Sequence, residues 1–189
     1  MPEATKTKTR DAEATKARIL DAASAEFAEH GIAGARVDRI AAAADANKSL
    51  IYAYFGNKDG LFDAVFEALV ASTVEAVPID AENLPDFAGR IFEHRLEHPE
   101  LPRLVDWDRL EREGAGRNGE TVASAYAHKV AAVARAQKQG KLPKTLAAEY
   151  LLDFTVAIAE TELDLEPGSR AAAAHRKRIV AAVAQLIDA

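Results

Sequence analysis

The sequence predicts an all-α protein, and two observations carry that prediction. Alanine, the strongest helix former, occurs 42 times in 189 residues, while Gly (10) and Pro (7) are few. Apolar residues recur at helical spacing along the chain, with no strand-like alternation and no internal repeat. One or two compact units with a sizeable core are expected at this length.

Residues 1–14 hold Lys6, Lys8 and Arg10 and no large apolar side chain after Met1, which reads as a mobile arm. A first helix is expected from about Thr15, with Ile19, Leu20, Ala23, Phe27 and Ala28 on one stripe and His30-Gly31 ending it. Val37, Ile40, Ala41 and Ala44 give a short second helix that ends near Asp45. Asn47 is a plausible N-cap for a short third helix through Leu50, Ile51 and Tyr54, broken by Gly56-Asn57. Two short helices across a tight turn make a helix-turn-helix candidate. Leu61, Phe62, Val65, Phe66, Leu69 and Val70 form the apolar face of a fourth helix to about Val77, and Pro78 and Pro85 mark a linker. Phe87, Ile91 and Leu96 indicate a fifth helix, Leu101–Glu113 a sixth, and the glycines at 114, 116 and 119 a loop. Val122, Tyr126, Val130 and Val133 carry a seventh, closed by Gly140 and Pro143, and segments 144–164 and 168–188 complete nine.

Composition narrows the function. With no cysteine there are no disulfides, thiolate metal sites or iron–sulfur clusters, and a reducing cytoplasm fits. No apolar run reaches the roughly 18–20 residues of a membrane span, and no signal-peptide stretch follows the start. The net charge of −6 argues against a nucleic-acid partner at face value, but it is unevenly placed. Residues 1–60 carry 9 basic and 9 acidic side chains, and residues 61–189 carry 15 and 21. The surplus acidity lies wholly outside the helix-turn-helix candidate.

A groove-reading helix must be packed behind and polar in front. Leu50, Ile51 and Phe55 supply the packing, which leaves Lys48, Ser49, Tyr52 and Tyr54 for the outer face. Lys48, Tyr54 and Lys58 are candidate phosphate contacts, and Asn47, Lys48, Ser49 and Tyr52, with Arg39 from the second helix, are candidates for base readout. Arg36 adds a cation near the DNA backbone. Tyr52 fits core packing as well as it fits the groove.

Residues 15–70 resemble the DNA-binding region of the TetR (tetracycline-repressor-like) family of bacterial transcription regulators. The likeness runs through Ala17-Arg18-Ile19-Leu20-Asp21-Ala22-Ala23, Phe27-Ala28-Glu29-His30-Gly31, Val37-Asp38-Arg39-Ile40-Ala41, Asn47 to Phe55, and Asn57-Lys58-Asp59-Gly60-Leu61-Phe62. The chain departs from the common pattern with Asp45 where Gly is usual, Ala46 for a β-branched residue, Ala35-Arg36 for a capping Ser or Thr, Leu50 for Thr and Ala53 for Tyr. These differences bear on which operator is read. The resemblance implies a ligand-responsive, sequence-specific regulator with a flexible arm at 1–14, a helix-turn-helix domain at 15–60 and an effector-binding, dimerising part at 61–189. It implies a repressor released from a palindromic operator on double-stranded DNA by a small molecule, with no cofactor.

The effector is expected between facing helices, and Phe87, Phe92, Arg103, Trp107, Tyr126, Tyr150 and Phe154 are the candidate contacts. For Trp107 the simpler role is core packing with its indole N–H satisfied. Segments 144–164 and 168–188 are apolar on more than one side and carry small alanines, so a homodimer through 144–188 is expected, packed as a four-helix bundle.

Two competing readings come from other classes. His94-Arg95-Leu96-Glu97-His98 matches the H-x-x-E-H spacing of a zinc hydrolase, in which two imidazoles hold zinc and the carboxylate acts as base. Pro99 follows at once and no flanking motif supports it, so a solvated helix end with no metal and no enzymatic activity is the simpler reading. A helical interaction protein that does not read DNA is the other alternative.

Overall fold

The computed structural model describes residues 3–161 and 164–188, and for residues 3–10, 117 and 118 the backbone alone. Among these residues it contains nine α-helices: α1 (Glu3–Gly34), α2 (Val37–Ala43), α3 (Lys48–Phe55), α4 (Lys58–Ala76), α5 (Leu84–Glu97), α6 (Glu100–Arg112), α7 (Glu120–Lys138), α8 (Ala148–Ala159) and α9 (Arg170–Asp188). A 3-10 turn covers Ala115–Asn118, and no strand occurs among the described residues.

Several boundaries differ from the sequence reading, three of them at helix starts with a local cause. α1 begins at Glu3 rather than near Thr15, because Ala, Glu and Lys favour helix without any apolar face. The side chains of Lys6, Lys8 and Arg10 lie outside the described residues. α5 starts at Leu84, with Pro85 inside the first turn where its missing N–H costs nothing and the Asn83 side chain accepting from Asp86 N. α8 starts at Ala148 instead of 144. The buried Gln137 accounts for that, since its Nε2 donates to the carbonyls of Pro143 (2.7 Å) and Leu146 (2.9 Å) and holds the segment as a turn.

The helices form two compact units. The first comprises the described residues up to Leu69 together with Glu100–Gly119, and the second Val70–Pro99 with the described residues from Glu120 onward. The core of the first unit is built from Ile19, Phe27, Ile40, Ile51, Leu61, Phe62 and Leu104, all essentially inaccessible to solvent. Phe27 meets Phe62 edge to face at 5.2 Å between ring centres. A buried polar group ties α6 down: Asp108, 1% exposed, accepts from the Gly116 N–H at 2.9 Å. Arg112 lies with its guanidinium over the Phe62 ring at 5.1 Å, and it pairs with Asp63 at 2.7 Å and more loosely with Asp108 at 3.8 Å.

In the second unit Leu84, Phe87, Val133, Leu151, Leu152, Ile179 and Val183 make the core. α5 and α9 pack closely, and a Cβ at Gly89 would come within 2.9 Å of the Arg176 guanidinium. Arg176 bridges Asp86 (2.8 Å) and Glu93 (2.9 Å). The hydrogen bond from Arg176 holds the Asp86 carboxyl below its ordinary value of 3.8. A carboxyl depressed in the folded state stabilises it above the unfolded pKa, and that contribution disappears as pH falls through the folded value. Arg176→Gln is therefore expected to lower stability at neutral pH. The gap from wild type should close as pH drops below the ordinary aspartate value, measured by urea unfolding at several pH values.

Candidate nucleic-acid interface

Local chemistry sets the helix-turn-helix. Val37, Ile40, Ala41 and Ala44 turn one side of α2 inward, and Ala46 N bonds back to Ala41 O at 3.0 Å. The turn needs a left-handed residue, and Asp45 takes that role at φ 48°, where a short polar side chain is tolerated. Asn47 caps α3, its side chain accepting from Leu50 N at 2.7 Å. At the start of α2, Arg36 occupies the cap position with no side-chain cap bond.

α3 buries only Ile51 fully, so its other faces are available. Ser49 and Ala53 are exposed, and Tyr52 is 40% exposed, which puts it outside the three-helix core. Lys48 Nζ lies 2.9 Å from Asp38 Oδ1 on α2. That hydrogen bond raises the lysine pKa and lowers the aspartate's, so both stay charged. Arg36 is exposed, with no ion-pair partner among the described residues.

The remaining DNA candidates are engaged within the protein. Tyr54 is half-buried, edge-on to Phe55 at 6.1 Å, with Lys16 Nζ over its ring at 5.4 Å. Arg39 Nε donates to both oxygens of Glu26 (2.8 and 3.0 Å), and its Nη2 donates to Gly34 O at 3.2 Å. Burial works against the Glu26 charge, but hydrogen bonds from Arg39 and the Arg36 amide leave its pKa below the ordinary value. Lys58 Nζ donates to Ala33 O (3.1 Å) and Ala35 O (3.4 Å).

These contacts converge on the turn between α1 and α2. Gly31 bends the chain there at φ 72°, ψ 175°, a region nearly closed to other residues. Glu26 accepts from Arg36 N (2.8 Å) and Glu111 of α6 from Ala33 N (2.6 Å). With Arg39 and Lys58, four side chains satisfy the turn's backbone groups and fix the direction in which α2 and α3 leave. Sequence reasoning missed Glu26, Asp38 and Glu111. Only Asp38 left a signal, as an acid one helix before a lone lysine on the reading face.

The seven candidate ligand contacts do not meet in one place. Phe87 and Phe92 are buried in the second unit's core. Tyr126, Tyr150 and Phe154 are 43%, 57% and 45% exposed, with Tyr150 and Phe154 stacked at 6.3 Å and the Tyr126 hydroxyl donating to Asp153 at 3.0 Å. Arg103 and Trp107 lie on α6 in the first unit, where Trp107 Nε1 donates to Ala28 O at 3.3 Å. The His94 and His98 rings lie 4.5 Å apart, but among the described residues no three His, Asp or Glu side chains are grouped to hold a metal ion.

A short capped helix, packed from behind and presenting a cation, hydroxyls and an aromatic edge, defines a helix-turn-helix DNA-binding protein. Residues 19–65 match the family model described as bacterial regulatory proteins, tetR family, and residues 83–188 match the tetracyclin repressor-like C-terminal domain. The chain is 48% identical over 151 residues to the HTH-type transcriptional repressor SCO4008 of Streptomyces coelicolor, covering 79% of each protein. It is 32% identical over 108 residues to the HTH-type transcriptional repressor NicS of Pseudomonas putida, covering 53% of this chain and 51% of that one. The crystal structure of transcriptional regulator SCO4942 from Streptomyces coelicolor superposes with a TM-score of 0.77 at 34% identity, over 91% of this chain and 97% of that one. The chain belongs to the TetR family of bacterial regulatory proteins and is a ligand-responsive DNA-binding transcription regulator.

Proposed function

We propose that the chain acts in the cytoplasm as a homodimeric repressor that leaves a palindromic operator when a small molecule binds. The observation that carries the reading is the outer face of α3 with Arg36, where Lys48, Ser49 and Tyr52 are exposed together on a rigid, capped frame. Arg39, Asn47, Tyr54 and Lys58 then act in DNA binding chiefly by holding that frame. The repressor named above, 48% identical, supports the sign of regulation. Exposed Tyr126, Tyr150 and Phe154 on α7 and α8 supply apolar area for a second copy, and the expected contact runs through 144–188. Twofold symmetry would present two copies of α3 to two half-sites.

Selection from random duplexes with the full chain tests this reading. One enriched palindrome is expected, and enrichment of no sequence would refute it. Lys48→Ala should weaken binding to the selected duplex and make the slope of log affinity against log salt shallower by about one unit. An unchanged slope and affinity would remove Lys48 from the interface.

A further inference from the structure

Within the first unit, α1 and α6 flank a shallow cleft of about 310 Å³, largely open to solvent and lined by Ala28, Glu29, Arg103, Asp106, Trp107 and Leu110. That volume falls at the lower end of the range for small-molecule sites. Its apolar wall is unusually open, since Leu110 is 69% exposed beside the half-buried indole. The charges around it are not equivalent. Asp106 is offset by Arg109 at 3.5 Å, and the Glu29 carboxylate is 74% exposed and lies 3.9 Å from His30 Nε2. Arg103 is exposed and has no ion-pair partner among the described residues.

We propose that this cleft is a ligand site for a small apolar carboxylate, whose hydrocarbon part covers Trp107 and Leu110 while Arg103 takes the carboxylate through paired N–H donors. The assignment rests on the reading of the chain as ligand-responsive and supplies the place and chemistry of the response. Its route to DNA is short. Trp107 is bonded to Ala28 O, less than one turn before Gly31, and Glu111, one turn further along α6, is bonded to Ala33 N. A ligand that moves the indole acts on the turn from which α2 and α3 depart. It shifts the equilibrium only to the extent that it binds the two arrangements unequally.

Trp107 is the sole tryptophan, so its emission reports on the cleft. The full chain would be titrated with benzoate, benzyl alcohol and benzylamine, and the selected operator duplex measured in the same preparation. Benzoate should give a saturable change, and Arg103→Gln should weaken benzoate by about tenfold while leaving benzyl alcohol unaltered. Three results would overturn the assignment: no saturable change with benzoate, equal benzoate affinity in Arg103→Gln, or tighter binding of benzylamine than of benzoate. If operator binding persists through any of these, the cleft assignment alone fails. Benzoate binding as expected without binding to any duplex would instead defeat the DNA-reading function.

Discussion

Gly31→Ala is expected to lower the stability of the first unit by about 2–4 kcal/mol and to abolish operator binding. Two causes add. At φ 72° and ψ 175° an alanine is strained whatever its surroundings. Its Cβ would also stand 2.7 Å from Glu111 Oε1 and 3.1 Å from Trp107 Cε3, so the acceptor for Ala33 N and the indole must both be displaced. Gly34→Ala is the control, because nothing but His30 Cβ at 3.6 Å lies near that position and its φ is not positive. It should be neutral or slightly stabilising. Urea unfolding of the full chain measures both, and equal stability of the two variants would contradict the role given to the turn.

The second large effect concerns Asp108. Replacing it with alanine removes the acceptor for Gly116 N and leaves the buried Nη1 of Arg112, which has no hydrogen-bond partner, without its nearest carboxylate. Burial of that charge and of the amide should make Asp108→Ala cost about 2–4 kcal/mol, reduced by the surviving pair with Asp63. Asp108→Asn keeps an acceptor for the amide and loses only the charge, so it should fall between wild type and alanine in the same unfolding measurement. An alanine variant as stable as wild type would show that the 114–119 loop is held by something else.

The sequence was most readable where one local rule decided the outcome. Asn47 as cap and Gly31 as the point where the first helix breaks each follow from the chemistry of a single residue, and both stand in the structure, the second as a kink inside α1. The apolar stripe located α2, α3 and the start of α4 because those helices bury one face. It failed at Glu3–Ala14, where helix forms although the sequence carries no apolar stripe, and at 144–147, where Gln137 overrides local preference from another element. The site was harder to read, because exposure depends on partners that are distant in sequence. Lys58 and Arg39 look like free cations along the chain, yet one holds carbonyls 23 and 25 residues away and the other a carboxylate 13 away. Trp107 and Arg103 are aligned with the sensing part by position in the chain, while packing assigns their helix to the first unit.

That placement of α6 has a consequence for how the protein comes into being. Trp107 and Ala28 are 79 residues apart, and Glu111 and Ala33 are 78 apart. On the ribosome the recognition helices emerge long before the segment that clamps their turn. The first unit cannot reach its finished form until Glu100–Gly119 has left the exit tunnel, after Val70–Pro99 has been made. A fragment cut after α3 or α4 would carry every residue of the reading face but lack the groups that set its angle.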